Sequence, residues 1–518
     1  MKRLLIFAFL AVADRIRRLM MRWERAFGLL FLLGKKGIGE RVGLWKAWRV
    51  FENARRKCPA YRDFLERHPQ ARVALRGWTP DFSAVPPMDK ENYVLAYPIE
   101  QRCIGGMLPM KGAVIDESSG STGLPNNWVR GPDERQYVAR MLQIAMGMIF
   151  KDKPRLFINA FALGPWATGM CVSSAVVEVC LLKSTGPDIS KIVNTLKVFG
   201  PGYQYVIAGY PPFLKMLGDA PDIDWSNYHI TAFFGGEGIS ENMRAYLMKT
   251  FRGGVYGDYG ASDLEINIAS ENDFTIAVRK LIVEKPGVRR RLNGPFGDAI
   301  PSVFQYNPLD HLIETNEKGE LLITISRLAN VSPRIRYNIH DLGRTLSFRE
   351  ARTLLELEGV DISHLPTPLA ELPLILMYGR SDFSVAYYGC KITPGEVESI
   401  LYGTPELARI ISGFALVTSE GLDASKRLAV CLEIAAGASA PEAAEAAALR
   451  ERIFVRLAEV NQDFRESIRM VPARHQPTIE FHEKAQGPFA ANDIRVKCRY
   501  IQQSNGPGVA ARNPVGTS

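Results

Sequence analysis

The sequence predicts an α/β protein with a large N-terminal part and a smaller α+β part near the C-terminus. Three observations predict it. At 518 residues the chain exceeds what one ordinary core accommodates, so two or more domains are expected. Apolar runs alternate with helix-like pieces through "PRLFINAFALG", "YQYVIAGYPPFLKML", "HITAFFGGEGIS" and "GGVYGDYGASD". That alternation marks strands and crossover helices of a layered sheet, whose ligands sit at the carboxyl ends of the strands. After "MYGRSDF" the composition shifts to a hairpin-like "SVAYYGCKIT" and then to Ala- and charge-rich helices.

The elements follow in order. Residues 1–42 read as a cationic amphipathic arm. Positions 1–41 hold ten basic side chains (Lys2, Arg3, Arg15, Arg17, Arg18, Arg22, Arg25, Lys35, Lys36, Arg41) against Asp14, Glu24 and Glu40, a net +7 out of the chain's +9. The body is therefore nearly neutral, and its charge gives no argument for nucleic acid binding. Two apolar runs in the arm, "LLIFAFLAVA" and "AFGLLFLL", are far shorter than the ~20 residues that span a bilayer. The arm fits packing on the body, lying on an anionic membrane surface, or a short secretory signal ending in "AVAD", and these three readings stay open. Seven cysteines show no C-x-x-C pairing and no metal-ligand rhythm, as expected of thiols in a reducing compartment.

Residues 43–68 carry Trp45, Trp48, Phe51 and Ala54 at helical spacing, then Tyr61 and Leu65 after a break at Pro59. "GPDERQYVARMLQIAMGMIF" predicts a long helix started by Pro132 and Asp133. "LIETNEKGELLITISR" alternates around a Lys-Gly turn and predicts a β-hairpin. "TPGEVESIL" opens a helix with Thr393, Pro394 and Glu396 in an N-capping order. The boundaries read as an arm over 1–42, a large domain over 43–380, a small domain over 381–503 and, by composition, a disordered tail over 504–518.

The stretch "ESSGSTGLPNNW" sets hydroxyls beside glycines, the composition of a phosphate cradle, but lacks the lysine of a Walker loop. Taken alone it is equally an ordinary surface turn. Four further pieces follow in chain order: "FFGGEG", "DYGASDLE", "RYNIHDLGR" and "YGRSDF". Together the five resemble the adenylate-forming superfamily of acyl-CoA ligases, most closely its phenylacetate–CoA ligase branch, over residues 45–500.

The resemblance implies a large multi-sheet adenylation domain with a small mobile lid, and an ATP-dependent ligase that makes an acyl-AMP and passes the acyl group to a thiol. It implies that Ser118, Ser119, Gly120, Ser121, Thr122 and Gly123 hold the β- and γ-phosphates. Gly235, Gly236 and Glu237 correspond to the adenine-edge strand end. From "DYGASD", Asp258, Tyr259, Gly260 and Ser262 reach the nucleotide, with Tyr259 stacking on adenine and Ser262 near the α-phosphate. Asp263 stands where the family usually has Glu and would hold Mg²⁺, with Glu265 as a fallback, otherwise read as a solvated helix residue. Asp341 would accept both ribose hydroxyls, Arg380 would contact the nucleotide, and Asp382 would be the hinge of the lid.

The family's catalytic lysine lies in a "GK-x-x-R" setting, and "EKAQGPFAANDIRVKCRYI" has no GK. Alignment on Arg495 and Val496 leaves Asn492 in the lysine's place; alignment on "KCRYI" makes Lys497 the candidate, ahead of Lys484. Phe161, Trp166, Phe233, Phe234 and Tyr256 are candidates for an aromatic acyl pocket, and each is equally a core residue. The cofactor set implied is ATP, Mg²⁺ and coenzyme A, with an aromatic or fatty acid as substrate. Alternatives from other classes are an acyl-adenylate enzyme that loads a carrier protein or an amine, and a degenerate nucleotide-binding protein. A need for nucleotide implies a cytoplasmic location, with peripheral contact at the inner face of a membrane through the arm.

Overall fold

A computed structural model of the chain describes residues 1–20, 38–118, 126–149, 155–164, 167–368, 370–381, 384–420, 425–435, 437–484, 486–490 and 501–504. The first part of the arm is a helix, α1 (Lys2–Met20), which buries Ile6 and Leu10. Phe7 meets Trp48 edge-on at 5.1 Å, and Arg3–Glu52 and Arg18–Asp133 ion pairs tie α1 to the body. Pro59 separates two helices, Ile38–Lys57 and Pro59–Glu66. Proline lacks the N–H that would continue the first helix, and its fixed φ suits the first turn of the second. Phe51, Tyr61 and Phe64 from these helices share one apolar core with Trp128, Tyr259 and Tyr337.

Two small hairpins come first, β1 (Ala74–Arg76) with β2 (Thr79–Asp81) and β3 (Val114–Ser118) with β4 (Asn126–Arg130). The helix Pro132–Ile149 follows, as its Pro-Asp start predicts. Eleven strands then form one sheet: β5 (Arg155–Asn159), β6 (Leu181–Ser184), β7 (Gln204–Gly209), β8 (Ile230–Gly235), β9 (Arg252–Tyr259), β10 (Ala269–Ser270), β11 (Ser302–Tyr306), β12 (His311–Thr315), β13 (Glu320–Ile325), β14 (Tyr337–Leu346) and β15 (Leu374–Arg380). Their order is β12-β13-β14-β15-β11-β10-β9-β8-β7-β5-β6.

The half from β6 to β9 is parallel. Its strands are joined by helices such as Ile189–Phe199, started by Asp188, and Glu241–Phe251, started by Ser240. Each capping side chain satisfies an N–H that the first helical turn leaves unpaired. The other half is antiparallel, and the expected hairpin is β12 with β13, paired from His311↔Ile325 to Thr315↔Leu321.

Beyond β15, the expected hairpin is β16 (Val385–Tyr387) with β17 (Cys390–Ile392). Thr393 and Glu396 form a reciprocal capping box on the helix Pro394–Tyr402. A second sheet contains β18 (Ile411–Glu420), β19 (Lys426–Ile434), β20 (Thr478–His482) and β21 (Ile501–Ser504), ordered β20-β19-β18-β21. Its apolar face packs against the helices Ala443–Val460 and Gln462–Met470. The six described cysteines are free. Cys431, Glu480 and His482 bring donor atoms within 4.8 Å of one another, a trio one ligand short of a closed tetrahedral zinc site.

One buried ion pair fixes β9 against the helix behind it. Arg244 grips Glu271 through two N–H groups, at 2.7 and 2.9 Å, and donates to the Val255 carbonyl at 2.6 Å. Glu271 also accepts the Gly257 N–H at 2.7 Å. Breaking one partner of such a pair leaves an uncompensated buried charge, so Arg244→Met should lower the unfolding free energy by about 3–5 kcal/mol. The double variant R244M/E271Q, which keeps an acceptor for Gly257, should recover part of that loss. Urea denaturation measures both; a single-variant loss below about 1 kcal/mol would show that the pair is not what holds β9.

Candidate active site

The carboxyl ends of β8 and β9 open on a cavity of about 1050 Å³. Gly235, Gly236, Asp258, Gly260, Ser262 and Asp263 line it from the parallel half of the sheet, His340 and Arg380 from β14 and β15, and Lys391 and Thr393 from the chain beyond β16. Motifs more than a hundred residues apart therefore share one wall.

The loop after β9 is held from behind. Arg130 donates to the Ser262 carbonyl at 2.6 Å and to the Leu264 carbonyl, and Arg334 donates to the Asp263 carbonyl at 3.3 Å. Arg130 is paired with Asp116 at 2.8 Å. Arg334, fully buried, lies over the Trp128 ring at 4.5 Å. Three successive carbonyls are thus turned towards buried cations, which fixes where the Ser262 and Asp263 side chains emerge.

The Asp263 carboxylate accepts hydrogen bonds from Trp128 Nε1 at 3.1 Å and the Tyr337 hydroxyl at 3.3 Å. Both donors are neutral, so the carboxylate is oriented at the cavity wall without being neutralised by them. A fixed hard-oxygen donor of this kind fits a magnesium ion. Glu265 does not: its carboxylate is buried, paired with Arg327 and bonded to His311 Nε2 at 2.8 Å. The reading of Glu265 as a solvated helix residue is also corrected, because its side chain points into the core. Burial pulls His311 down to about 4, so its ring is neutral at physiological pH.

Tyr259 departs from expectation. Side chains alternate along a strand, and Asp258 and Gly260 line the cavity, so Tyr259 points away from it. Its ring is buried and stacks on Phe304 at 5.9 Å, and its hydroxyl donates to Asp341 at 2.7 Å. Tyr259 positions Asp341 and offers no face to a base. Asp341 also pairs with Arg380 at 3.4 Å, its direct neighbour across β14 and β15. The nearby Arg336 and Arg344 are engaged elsewhere, on Glu314 and on the Leu292 carbonyl.

Gly235 and Gly236 reach the cavity, whereas Glu237 turns away from it. The Glu237 carboxylate accepts the Gly389 N–H at 2.6 Å and pairs with Lys426, joining the turn after β8 to the C-terminal elements. Between them sits Tyr210. Gly236 and Gly389 both have positive φ, and a Cβ on either would come within 2.9 Å of the Tyr210 ring. Only glycine satisfies both constraints.

Among the acyl-pocket candidates, Phe161, Phe233, Phe234 and Tyr256 line the cavity, with Phe233 and Tyr256 rings 5.8 Å apart. Ser119, Gly120, Ser121, Thr122, Gly123, Trp166, Asp382, Asn492 and Lys497 lie outside the described residues, and Ser118 ends β3 opposite Asn126. Asn126 is a residue sequence reasoning did not single out as a ligand group. It is buried, lines the cavity at the base of the 119–125 loop, and among the described residues no acceptor meets its Nδ2. Its signal in the sequence was its place directly after the Ser/Gly loop. Arg130, Arg334 and Tyr210 had none, since nothing local distinguishes a buried arginine from an exposed one.

No protein-family model matches the chain, and no curated protein matches it. Among solved structures, 2-hydroxyisobutyryl-CoA ligase in complex with 2-HIB-AMP and CoA, in the thioesterification state, superimposes with a TM-score of 0.60. Identity is 14%, and the match covers 90% of each chain. An open conformation of that ligase gives a TM-score of 0.49 at 13% identity, over 89% of this chain and 91% of that one. An amide bond synthetase from Marinactinospora thermotolerans gives 0.44 at 14%, over 73% and 68%. The first match establishes the fold, a mixed α/β architecture shared with that ligase along nine-tenths of the chain.

Burial raises the Asp258 carboxyl to about 6, although Ser270 donates to it at 2.5 Å. A value above the unfolded ~3.9 favours the protonated fold, so this stabilisation is full below about pH 4 and is lost as pH rises through about 6. Asp258→Asn removes the titration. The unfolding free energy of the wild type minus that of D258N should therefore rise by about 1 kcal/mol between about pH 7 and about pH 5. A difference that stays flat over that range would show that Asp258 remains ionised in the folded protein.

Proposed function

We propose that this chain activates a carboxylic acid with ATP as an acyl-adenylate and transfers the acyl group to coenzyme A, releasing pyrophosphate and AMP. The observation that carries the reading is the convergence on one cavity of the turn after β8, the Ser262–Asp263 loop, Arg380 and, from beyond β16, Lys391 and Thr393.

In the first half-reaction a carboxylate oxygen of the acid attacks the α-phosphorus of ATP. A new P–O bond forms and the bond to the β-phosphate oxygen breaks, its electron pair leaving with pyrophosphate. Catalysis of such a step is positioning plus stabilisation of charge on the phosphoryl oxygens. Hydroxyls of Ser118, Ser119, Ser121 and Thr122 and amides of Gly120 and Gly123 would bind the β- and γ-phosphates, and the Asn126 Nδ2 adds a buried donor beside them. Ser262 would serve the α-phosphate. Asp263 would hold Mg²⁺, which when bound offsets phosphate charge. Arg380 brings a fixed cation, and Asp341, oriented by Tyr259, is the group for the ribose hydroxyls. Lys497 is the proposed catalytic lysine of this step.

In the second half-reaction the thiol sulfur attacks the acyl carbonyl, the bond to the AMP oxygen breaks, and the thiol proton is released. The small C-terminal domain is proposed to turn about Asp382 between the steps. Phe161, Phe233 and Tyr256 give the acyl end an apolar aromatic wall, suited to an aromatic or fatty acid.

Hydroxamate formation with ATP, Mg²⁺ and hydroxylamine, across aryl, arylacetic and fatty acids, tests the first step. One acid class should give product, and Asp263→Ala should reduce it at least about 100-fold. Lys497→Ala should lose hydroxamate formation while still converting a synthetic acyl-AMP and CoA to thioester. No product from any acid, in protein shown to bind AMP, would overturn the ligase reading. Hydroxamate formation without consumption of CoA thiol would move the acceptor to an amine or a carrier protein.

A further inference from the structure

α1 presents an apolar face to solvent as well as to the core. Ile6 and Leu10 are buried, yet Leu4, Leu5, Phe9, Val12, Ile16 and Leu19 are each at least half exposed. At 100° per residue these six, with Ala8 and Ala11 between them, fall within one arc opposite the buried Ile6 and Leu10. Single exposed leucines are ordinary on a protein surface, but a contiguous stripe of this length marks a binding surface. The stripe continues onto the body: Leu5 and Phe9 share a groove with Ile38, Val42, Trp45 and Trp78, and both Ile38 and Trp78 are about half exposed.

Its surroundings are cationic. Residues 1–20 contain Lys2, Arg3, Arg15, Arg17 and Arg18 against Asp14 alone. Lys2 lies over the Trp78 ring at 5.5 Å, at the edge of the patch. Arg15 is exposed within the arc, and Arg18, half exposed, stands at its far rim.

We propose that this outward face of α1, with Ile38 and Trp78, docks on an anionic phospholipid bilayer, the helix lying in the headgroup plane. The sign of the charge selects this occupant. A second copy would bring the same cations against the patch, and residues 21–37 carry a net positive charge as well, whereas acidic headgroups meet Lys2 and Arg15 while the side chains between them enter the acyl boundary. Trp78 supplies the amphipathic ring typical of that depth. Among the described residues no helix is long and apolar enough to cross a membrane, so contact is by lying on the surface. This inference does not depend on the ligase reading.

The test is sedimentation of the full chain with vesicles of neutral phosphatidylcholine and with vesicles containing about 30% phosphatidylglycerol. Binding should favour the anionic vesicles, weaken severalfold at about 0.5 M salt and blue-shift Trp78 emission relative to Trp78→Phe. The variant L4Q/V12Q/I16Q alters side chains that are each at least half exposed, so its thermal midpoint should match the wild type while vesicle affinity falls at least about tenfold. Lys2→Glu with Arg15→Glu should abolish the preference for anionic lipid. Three results would overturn the proposal. In the first, the wild type stays in the supernatant with both vesicles. In the second, L4Q/V12Q/I16Q binds as the wild type does. In the third, light scattering shows a dimer that this variant dissociates, which would assign the face to a second copy.

Discussion

Buried guanidinium groups behind the loop that follows β9 set the geometry on which the candidate site depends. Arg130 and Arg334 receive the carbonyls of Ser262, Asp263 and Leu264, and they occupy positions where an unpaired charge would cost several kcal/mol. Each is therefore bound to a counter-charge or a π face. Asp116 accepts from Arg130, Glu134 lies 3.4 Å from Arg334, and Trp128 stacks beneath it. Trp128 closes the circuit by donating to the Asp263 carboxylate. The groups proposed to serve the α-phosphate and the metal are thus held by a network anchored in the hairpin β3–β4, which also carries the Ser/Gly loop.

A second constraint joins the two sheets. Tyr210 fits between the turns at Gly236 and Gly389 only because neither has a side chain, and Glu237 bonds the backbone on one side and Lys426 beyond it. Ser240 adds a bond to Glu420 at 2.6 Å. The apolar cores of the two sheets are separate clusters, with Met216 of the larger part packed against the core of the smaller one. The proposed turn of the smaller part would exchange these hydrogen bonds while each sheet keeps its own core. The motif residue Glu237 then belongs to the docking of the C-terminal elements on the large sheet.

Much of the fold was legible because local rules and tertiary packing agree. The β-rich runs at residues 155–159, 204–209, 230–235 and 252–259 became parallel strands, since strands buried on both faces read as continuous apolar stretches. The break at Pro59 and the capping order Thr393–Glu396 act within a few residues, so they appear in the sequence as they do in the structure. The cavity lining was legible in part: Gly235, Gly236, Ser262, Asp263 and Arg380 line it together. Strand alternation decided Tyr259, and nothing in "DYGASD" states which parity faces the ligand.

By itself, then, the sequence determined the alternation of elements, the caps and breaks, the cationic arm and the chain order of the motifs, because each is a property of near neighbours. Tertiary structure decided which of those residues meet. It turned Glu237 towards Lys426, buried Glu265 against Arg327, placed Tyr259 behind Asp341, and set Asn126 at the cavity wall, its amide nitrogen without an acceptor among the described residues. It also divided α1 into a face that joins the core and a face that does not. The physical reason is common to all of these. Whether a polar group is a ligand, a positioning residue or half of a buried ion pair depends on what lies within about 3 Å of it in space, and such partners lie up to 264 residues away in the chain.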